Sequence, residues 1–245
     1  GLHWRNYPDG TLAYEAQFDQ ETGALLAPIA EYTPEGIKFR EYVLVDQKLE
    51  GLFCEWHPDG VLKHEYQYRA GELEGDQREY YPSGQLKAAT SYVDGKRDGI
   101  HEEWYENGIL AKRVSFAQGL KEGQAGEWYS NGNSKMDIYY EGDEPEGIQT
   151  QWHENGLLKF RMECVHGKQH GWHREWDELG ALVFEGFFEE GLPHGTTVAW
   201  WDEDHIKMRL HFEHGKKEGK QEWFYPSGQR ERLAYFTEDL LDGEM

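Results

Sequence analysis

The residues most suited to metal binding are three histidines in the stretch VHGKQHGWH, namely His166, His170 and His173. Imidazole nitrogens are common ligands of Zn²⁺, and histidines this close in sequence can share one ion. His170, however, occupies a position that carries turn residues such as Glu74 and Asp98 elsewhere in the chain. We therefore interpret these histidines as polar turn residues, and we expect no metal ion and no other cofactor.

Acidic side chains are the other residues with catalytic chemistry, because two carboxylates can act as a general acid and a general base. The chain has 47 Asp and Glu residues, so that no pair stands out by its spacing. It also lacks a nucleophile elbow, a phosphate-binding loop and an HExxH motif. We expect that the protein is not an enzyme.

The composition indicates thin, turn-rich β structure and a basic partner. Aromatic residues make up 15% of the chain, while mean hydropathy is only −0.90 and glycines number 29. The formal net charge of −22 repels nucleic acids and anionic lipid surfaces, so we expect neither as a partner. The charge favours a basic protein partner. The alternative is that acidity only keeps the chain in solution.

A glycine recurs with a period of 24 residues along most of the chain. It stands at Gly36, Gly60, Gly84, Gly108, Gly132, Gly156, Gly180 and Gly228. Asp204 occupies the skipped position, and aspartate tolerates the left-handed backbone conformation that such a glycine adopts. A second glycine-flanked turn follows in each unit, and fixed periods of this length are typical of repeat architectures.

The period predicts an all-β fold: an elongated single-layer antiparallel β-meander or solenoid of about ten 24-residue β-hairpin repeats. We expect one repeat array over residues 1–245. Residues 1–31 would form an irregular N-terminal repeat, residues 32–233 the regular repeats, and residues 234–245 an acidic C-terminal cap or tail.

The turn before each periodic glycine can be assigned a type. A proline often stands two residues earlier, as Pro82 does before Gly84, which suits a type I turn followed by a left-handed glycine in a three-residue loop. In that register Trp56 faces Leu62 and Glu55 faces Lys63, both favourable cross-strand pairs. A two-residue loop is the competing possibility.

Two columns of large side chains are predicted to form one buried ladder. The tryptophan column, four residues before the glycine, comprises Tyr32, Trp56, Tyr80, Trp104, Trp128, Trp152, Trp176, Trp200 and Phe224. The Phe/Tyr column, eight residues after it, comprises Phe18, Leu44, Tyr68, Tyr92, Phe116, Tyr140, Cys164, Phe188, Phe212 and Phe236.

The opposite face carries glutamates that alternate with tyrosines and histidines. Tyrosine is enriched at protein interfaces, so this face is the candidate surface for binding a partner. A solvated strand face with Glu–Lys pairs is the alternative interpretation. The candidate partner-binding residues are Glu79, Tyr81, Glu103, Tyr105, Glu127, Tyr129 and His153.

The repeated phrase resembles the MORN repeat, specifically its bacterial variant type. The clearest copy is GIHEEWYENGILAKRVSFAQGLKEG, from Gly99 to Gly123. The resemblance implies a meander of antiparallel hairpins and a non-catalytic binding or scaffolding role. Many bacterial proteins of this type are labelled antitoxins of toxin–antitoxin pairs. The sequence departs from the pattern at Asp143, at AWWDEDHIK, and between Asp19 and Ala30.

The leading hypothesis is a protein-binding repeat protein, such as an antitoxin or immunity protein that occludes a basic partner. The alternatives are a structural scaffold in a larger or envelope-associated assembly and a binder of a small ligand or glycan. The chain begins with Gly1 rather than Met, so we expect that an upstream piece was removed or not included. The cytoplasm is favoured as the compartment, with the cell envelope as the alternative.

Overall fold

The structure, a computed structural model, describes residues 1–244, and the regular structure in that part of the chain is β-strand throughout. It separates into two compact units, Gly1–Leu120 and a second unit from Lys121 onward. The strands that begin in the first unit, up to its last residue, are β1 Leu2–Asn6, β2 Leu12–Gln17, β3 Ile29–Tyr32, β4 Lys38–Tyr42, β5 Leu44–Val45, β6 Lys48–Leu49, β7 Gly51–Trp56, β8 Leu62–Arg69, β9 Glu72–Leu73, β10 Gly75–Tyr80, β11 Leu86–Val93, β12 Lys96–Trp104, β13 Leu110–Ala117 and β14 Leu120–Trp128.

The other strands belong to the second unit. They are β15 Ser134–Glu141, β16 Glu144–Trp152, β17 Leu158–Val165, β18 Lys168–Trp176, β19 Leu182–Glu189, β20 Leu192–Trp200, β21 Ile206–Glu213, β22 Lys216–Lys217, β23 Gly219–Phe224, β24 Arg230–Thr237 and β25 Leu240–Glu244. Met245, which ends the predicted acidic tail, lies outside the described residues. Residues 1–244 include no helix able to cross a bilayer.

Within each unit, successive strands pair antiparallel in chain order. In the first unit β7 pairs with β8, β8 with β10 and β10 with β11, and in the second unit pairing runs from β14–β15 to β24–β25. The short strands β5 and β6 pair only with each other. The predicted antiparallel meander of β-hairpins is thus confirmed.

The first turn is the predicted three-residue loop in the repeats whose loop ends in the periodic glycine. In one copy, Tyr81 donates its backbone N–H to Gln85, and Gly84 donates its own to Tyr81, at 2.9 and 2.8 Å. Gly84 has a φ of 82°, in the left-handed region where a side chain would be strained. Pro82 fits the first central position of the type I turn because its ring fixes φ near −65°.

The expectation for Asp204 is wrong, since this residue is not among those with positive φ. The loop is closed instead by Asp202, whose carboxylate accepts the backbone N–H groups of Asp204 and His205, each at 3.0 Å. An aspartate side chain can bond to the backbone two residues on, and this replaces the glycine turn here.

The register of the hairpin is correct near the loop and shifts by one residue beyond it. Trp56 pairs with Leu62 as predicted, but Glu55 pairs with His64 instead of Lys63. The extra residue is a β-bulge, and the shift at the corresponding place recurs in other hairpins. The Glu55–Lys63 ion pair still forms at 3.5 Å, because the bulged lysine stays beside the glutamate.

The bulge reverses the predicted faces, because a slip of one residue turns every later side chain to the other side of the strand. Phe116 therefore pairs with Gly99, five residues before Trp104, and lies on the opposite face from the tryptophan column. The prediction of one buried ladder is wrong. The tryptophan column is half-buried throughout, and the Phe/Tyr column shares its face with the glutamates.

The most deeply buried positions lie seven residues before the glycine and on the strand opposite. Ala125 and Val114 are buried there, but so are polar residues such as Gln77 and Gln221. Burial of an amide is costly unless it is hydrogen-bonded. Gln221 donates to the backbone oxygens of His211 and Glu218 and accepts the N–H of His211, so its amide is satisfied.

The second turn is a two-residue hairpin loop in the repeats after the first, in which a longer segment joins β2 to β3. In one copy, Asp94 and Gly95 have φ values of 48° and 74°, as in a type I′ turn. The Glu74 carboxylate of the preceding repeat accepts the backbone N–H of Asp94 at 3.0 Å. We call this contact a staple. Equivalent staples, each joining residues 20 apart, link Glu50–Ala70, Asp98–Gln118, Glu122–Gly142, Glu146–His166 and Glu218–Glu238.

Candidate functional site

Four of the predicted partner-binding residues line one groove in the first unit. They come from two successive hairpins: Glu79, Tyr81, Glu103 and Tyr105. The groove encloses about 370 Å³ and is completed by Lys87, Ala88, His101, Trp104 and Ala111. The 24-residue period places equivalent side chains of neighbouring hairpins next to each other, which is why these residues converge.

The two glutamates give the groove its negative charge. Their side chains are 36% and 46% exposed for Glu79 and Glu103 respectively. His101 Nε2 lies 2.8 Å from Glu103 Oε1, and this hydrogen bond holds the pKa of the Glu103 carboxyl below its usual value against the opposing effect of burial. The Glu103 carboxyl is therefore ionised at neutral pH.

Glu79 is held from two sides. The Tyr66 hydroxyl donates to Glu79 Oε1 at 2.9 Å, while Lys87 Nζ lies 3.7 Å from Glu79 Oε2. The lysine is half exposed and so can swing away from the carboxylate when a partner's cation takes its place. Within the groove, the cation beside Glu79 is therefore displaceable, whereas the hydrogen-bond partner of Glu103 is His101.

The tyrosine and histidine column also has a structural role that sequence reasoning missed. Tyr81 donates its hydroxyl to the backbone oxygen of Trp104 at 2.8 Å, and Tyr129 does the same to Trp152. His153 Nε2 lies 2.8 Å from the Trp176 oxygen. Each contact joins residues 23 apart and so ties one turn to the next hairpin. The available signal was that most members of the column carry a side-chain donor.

Glu127, Tyr129 and His153, the other predicted partner-binding residues, belong to the second unit. Glu127 accepts a 2.8 Å ion pair from Lys135, which is itself half exposed. The rings of Tyr129 and His153 are half-buried. Their assignment to a partner-binding surface stays a prediction.

Sequence reasoning also missed an apolar groove in the second unit. It encloses about 760 Å³ and is lined by exposed Ile148 and Trp172 together with Met162, Arg174 and Phe187. Trp172 makes an edge contact with Phe187, with ring centroids 5.5 Å apart. The available signal was the column eight residues before the glycine, where Leu52, Ile100, Ile148 and Trp172 are all exposed. Exposed apolar side chains in a concave surface are typical of ligand sites.

The three histidines with metal-like spacing do not form a metal-ligating group within residues 1–244. His173 lies on the more buried face against Phe160 and Phe184, and burial lowers the pKa of its imidazole. A different group comes together in the second unit, formed by Glu189, His194 and His214. Its two histidines lie 20 residues apart, which is the spacing of the staples.

The chain is similar to several solved structures at low sequence identity. The crystal structure of TcdB2-TccC3-Cdc42 is 12% identical, with a TM-score of 0.22, over 97% of this chain and 17% of that chain. The Photorhabdus luminescens Tc holotoxin pore is 11% identical, with a TM-score of 0.23, over the same shares. Alternansucrase in complex with isomaltononaose is 12% identical, with a TM-score of 0.16, over 98% of this chain and 23% of that chain. The chain spans less than a quarter of these proteins, and likenesses at this level carry no argument about function.

The family comparison agrees with the geometry of the hairpins. No curated protein matches the chain. The family described as MORN repeat variant matches residues 49–70, 73–94, 97–118 and 217–238, which keep step with the 24-residue period. Unmatched hairpins in between, such as β16–β17, have the same loop and the same bulge. The four matched stretches are therefore MORN-variant repeats.

Proposed function

We propose that this chain is a non-catalytic binding protein that occludes a basic protein partner, in the manner of an antitoxin or immunity protein. The observation that carries the proposal is the groove of the first unit, which Glu79 and Glu103 line together with Tyr81 and Tyr105. A repeat-based binding role is what MORN repeats suggest, and the groove gives that role a chemistry.

The groove suits the side chain of an arginine or lysine. The two carboxylates supply charge, and a guanidinium can donate bidentate hydrogen bonds to such groups. The ring of Tyr81 offers an apolar face that can cover the stem of the entering residue. When a partner inserts an arginine or lysine into the groove, that side chain can no longer contact the partner's substrate.

The charge of the whole chain supports fast encounter with such a partner. The excess of acidic over basic residues produces a net charge of −22, which attracts a basic surface before contact. At 0.1 M salt, ions screen this attraction beyond a distance of about 10 Å. Binding that depends on it must weaken as salt is added.

The experiment uses the tagged chain to capture partners from a lysate of its own organism at low salt and at about 0.5 M salt. We expect one dominant basic protein at low salt and much less of it at high salt. The Glu79→Gln/Glu103→Gln variant should capture at least tenfold less, because it removes both groove charges. The matched control is Glu21→Gln/Glu35→Gln, which removes two exposed charges elsewhere in the first unit and should capture as the wild type does.

Equal capture by the groove variant and the wild type would falsify the assignment of the groove. Equal loss in both variants would mean that overall charge alone drives capture. Thermal melting of each variant shows whether it is folded, so that unfolding is not mistaken for lost binding.

A second candidate function is the binding of a small apolar or glycan ligand in the groove of Trp172. Its exposed indole and the neighbouring Phe187 are the observation that favours it. Titration of the intrinsic tryptophan fluorescence with a panel of sugars and nucleotides tests it, with Trp172→Ala as the variant that should lose any saturable response.

A further inference from the structure

We propose that Glu189, His194 and His214 of the second unit form a binding site for a divalent transition-metal ion of the Zn²⁺ type. One ligand atom from each side chain lies within 4.8 Å of the other two. The two imidazole rings are 5.4 Å apart between centroids and tilted by 45°. This site is separate from the acidic groove and does not depend on the function proposed for it.

The donor set fits the chemistry of such an ion. Two imidazoles and one carboxylate are ligands that Zn²⁺ takes readily, and imidazole also suits Ni²⁺ and Cu²⁺. Bonds of 2.0–2.1 Å in a tetrahedral arrangement put ligand atoms about 3.3 Å apart. Closing the remaining gap needs only side-chain rotation, because His214 is exposed at the tip of a turn and Glu189 lies at the end of β19.

The position of these residues in the repeat is the second observation. His194 stands where other repeats have the carboxylate of a staple, and His214 stands where they have the turn residue whose N–H that carboxylate accepts. In other repeats the backbone geometry brings the staple carboxylate to the turn. At His194 and His214 the same geometry brings the two imidazoles together. The staple itself is missing at this junction of the described chain, and two metal-ligating side chains have taken its place.

A buried nitrogen at this place has no partner. Among the described residues, nothing hydrogen-bonds to Nδ1 of His194, although the atom is buried. A buried polar atom without a partner costs free energy, and native proteins rarely leave one. A metal ion bound through this nitrogen would satisfy it.

The third ligand is within reach for the same positional reason. Glu189 corresponds to Arg69 of an earlier repeat, and Arg69 forms a 2.9 Å ion pair with Glu74 at the position equivalent to His194. A side chain at this end of the strand therefore extends to the staple position. Because Glu189 occupies this strand end, its carboxylate lies close to the imidazoles of His194 and His214.

The bound ion would do what the staple does in other repeats. It would tie the turn that carries His214 to the turn of the preceding repeat, and it would leave one coordination position for water or another ligand. Because the folded chain presents all three ligands together, binding should also raise the resistance of the second unit to unfolding.

The test is calorimetric titration of the untagged full chain with ZnCl₂ at about pH 7.5 after dialysis against a chelator. We expect saturable binding of one ion per chain. His214→Asn should weaken it at least tenfold, and asparagine tolerates the left-handed backbone at this turn. Glu189→Gln should weaken it as well. Co²⁺ should give visible absorption bands in the wild type that His214→Asn loses.

The matched control is His166→Asn, which makes the same change at the same turn position of another repeat. It should bind Zn²⁺ as the wild type does. The proposal is overturned if the wild type shows no saturable binding. It is also overturned if His214→Asn binds as tightly as the wild type, or if His166→Asn loses as much affinity, because the ion would then sit elsewhere.

Discussion

Individual carboxylates in this chain act as hydrogen-bond acceptors for tyrosines on the more buried face. Tyr42 donates its hydroxyl to Glu31 at 2.9 Å. Tyr66, one repeat later, donates its hydroxyl to Glu79 at 2.9 Å. Burial, together with the bond to Glu31, raises the pKa of Tyr42 to about 12. Burial first, and the hydrogen bond to a glutamate second, raise the pKa of both tyrosines.

The raised pKa of Tyr42 predicts a loss of stability at alkaline pH. A tyrosine in the unfolded chain titrates near 10, so the folded state's advantage is complete below pH 10 and falls as pH rises through about 12. Tyr42→Phe should lower the free energy of unfolding by about 1–2 kcal/mol at pH 7 by deleting the hydrogen bond. It should also lose less stability than the wild type between pH 10 and pH 12, measured by denaturant unfolding.

The control for this prediction is Tyr235→Phe, since Tyr235 is exposed. It should unfold as the wild type does at pH 7 and keep the wild-type slope in alkali. A Tyr42→Phe variant whose alkaline slope equals that of the wild type would contradict the assignment of the titrating group.

At the scale of the hairpin, the loop type was predictable from sequence and the faces were not. Proline two residues before a left-handed glycine is enough to define the three-residue loop around Pro82 and Gly84. The bulge at Lys87, by contrast, has no residue signature of its own. Glu79 and Lys87 form an ion pair with or without the bulge, so charge pairing does not distinguish the two registers. The one-residue slip, which puts the Phe/Tyr column on the other face, therefore could not be predicted.

The staples are hairpin-scale contacts with a measurable contribution. Glu146 accepts the backbone N–H of His166 at 2.7 Å and is half-buried, so Glu146→Ala leaves that N–H without its acceptor. We expect a loss of about 1–2 kcal/mol in the free energy of unfolding. Denaturant unfolding followed by circular dichroism measures it, with exposed Glu144→Ala as the control that should cost less than half as much. Equal costs would show that the staple adds nothing beyond surface charge.

The candidate site was partly predictable at this scale as well. Glu79, Tyr81, Glu103 and Tyr105 were selected because strand alternation places them on one face, and they do line one groove. The hydrogen bond from Tyr81 to the next hairpin was not foreseen, since it needs the distance between a side chain and a backbone oxygen 23 residues away. The group of Glu189, His194 and His214 could not be recognised from the 24-residue period, because its two histidines lie 20 residues apart and occupy different columns of the repeat.

For the molecule as a whole, the balance of charge sets how stability responds to salt. With 47 acidic and 25 basic residues, repulsion between carboxylates exceeds what the surface ion pairs return. Raising NaCl from about 0.02 M to about 0.5 M should therefore increase the free energy of unfolding by roughly 1 kcal/mol. Sucrose at equal osmolality is the uncharged control. A decrease with NaCl would mean that the ion pairs outweigh the repulsion.

The spacing of the staples and of the Tyr81-type bonds has a consequence for how the length of such a chain can change. These contacts span 20 and 23 residues, less than one period, so each connects a repeat only to its immediate neighbour. Duplication or loss of one whole 24-residue unit keeps the spacing of both kinds of contact, whereas an insertion of a few residues between turns misaligns both sets. A gene that gains or loses one full period therefore keeps the contacts between neighbouring repeats. The change alters only the number of residues in each side-chain column.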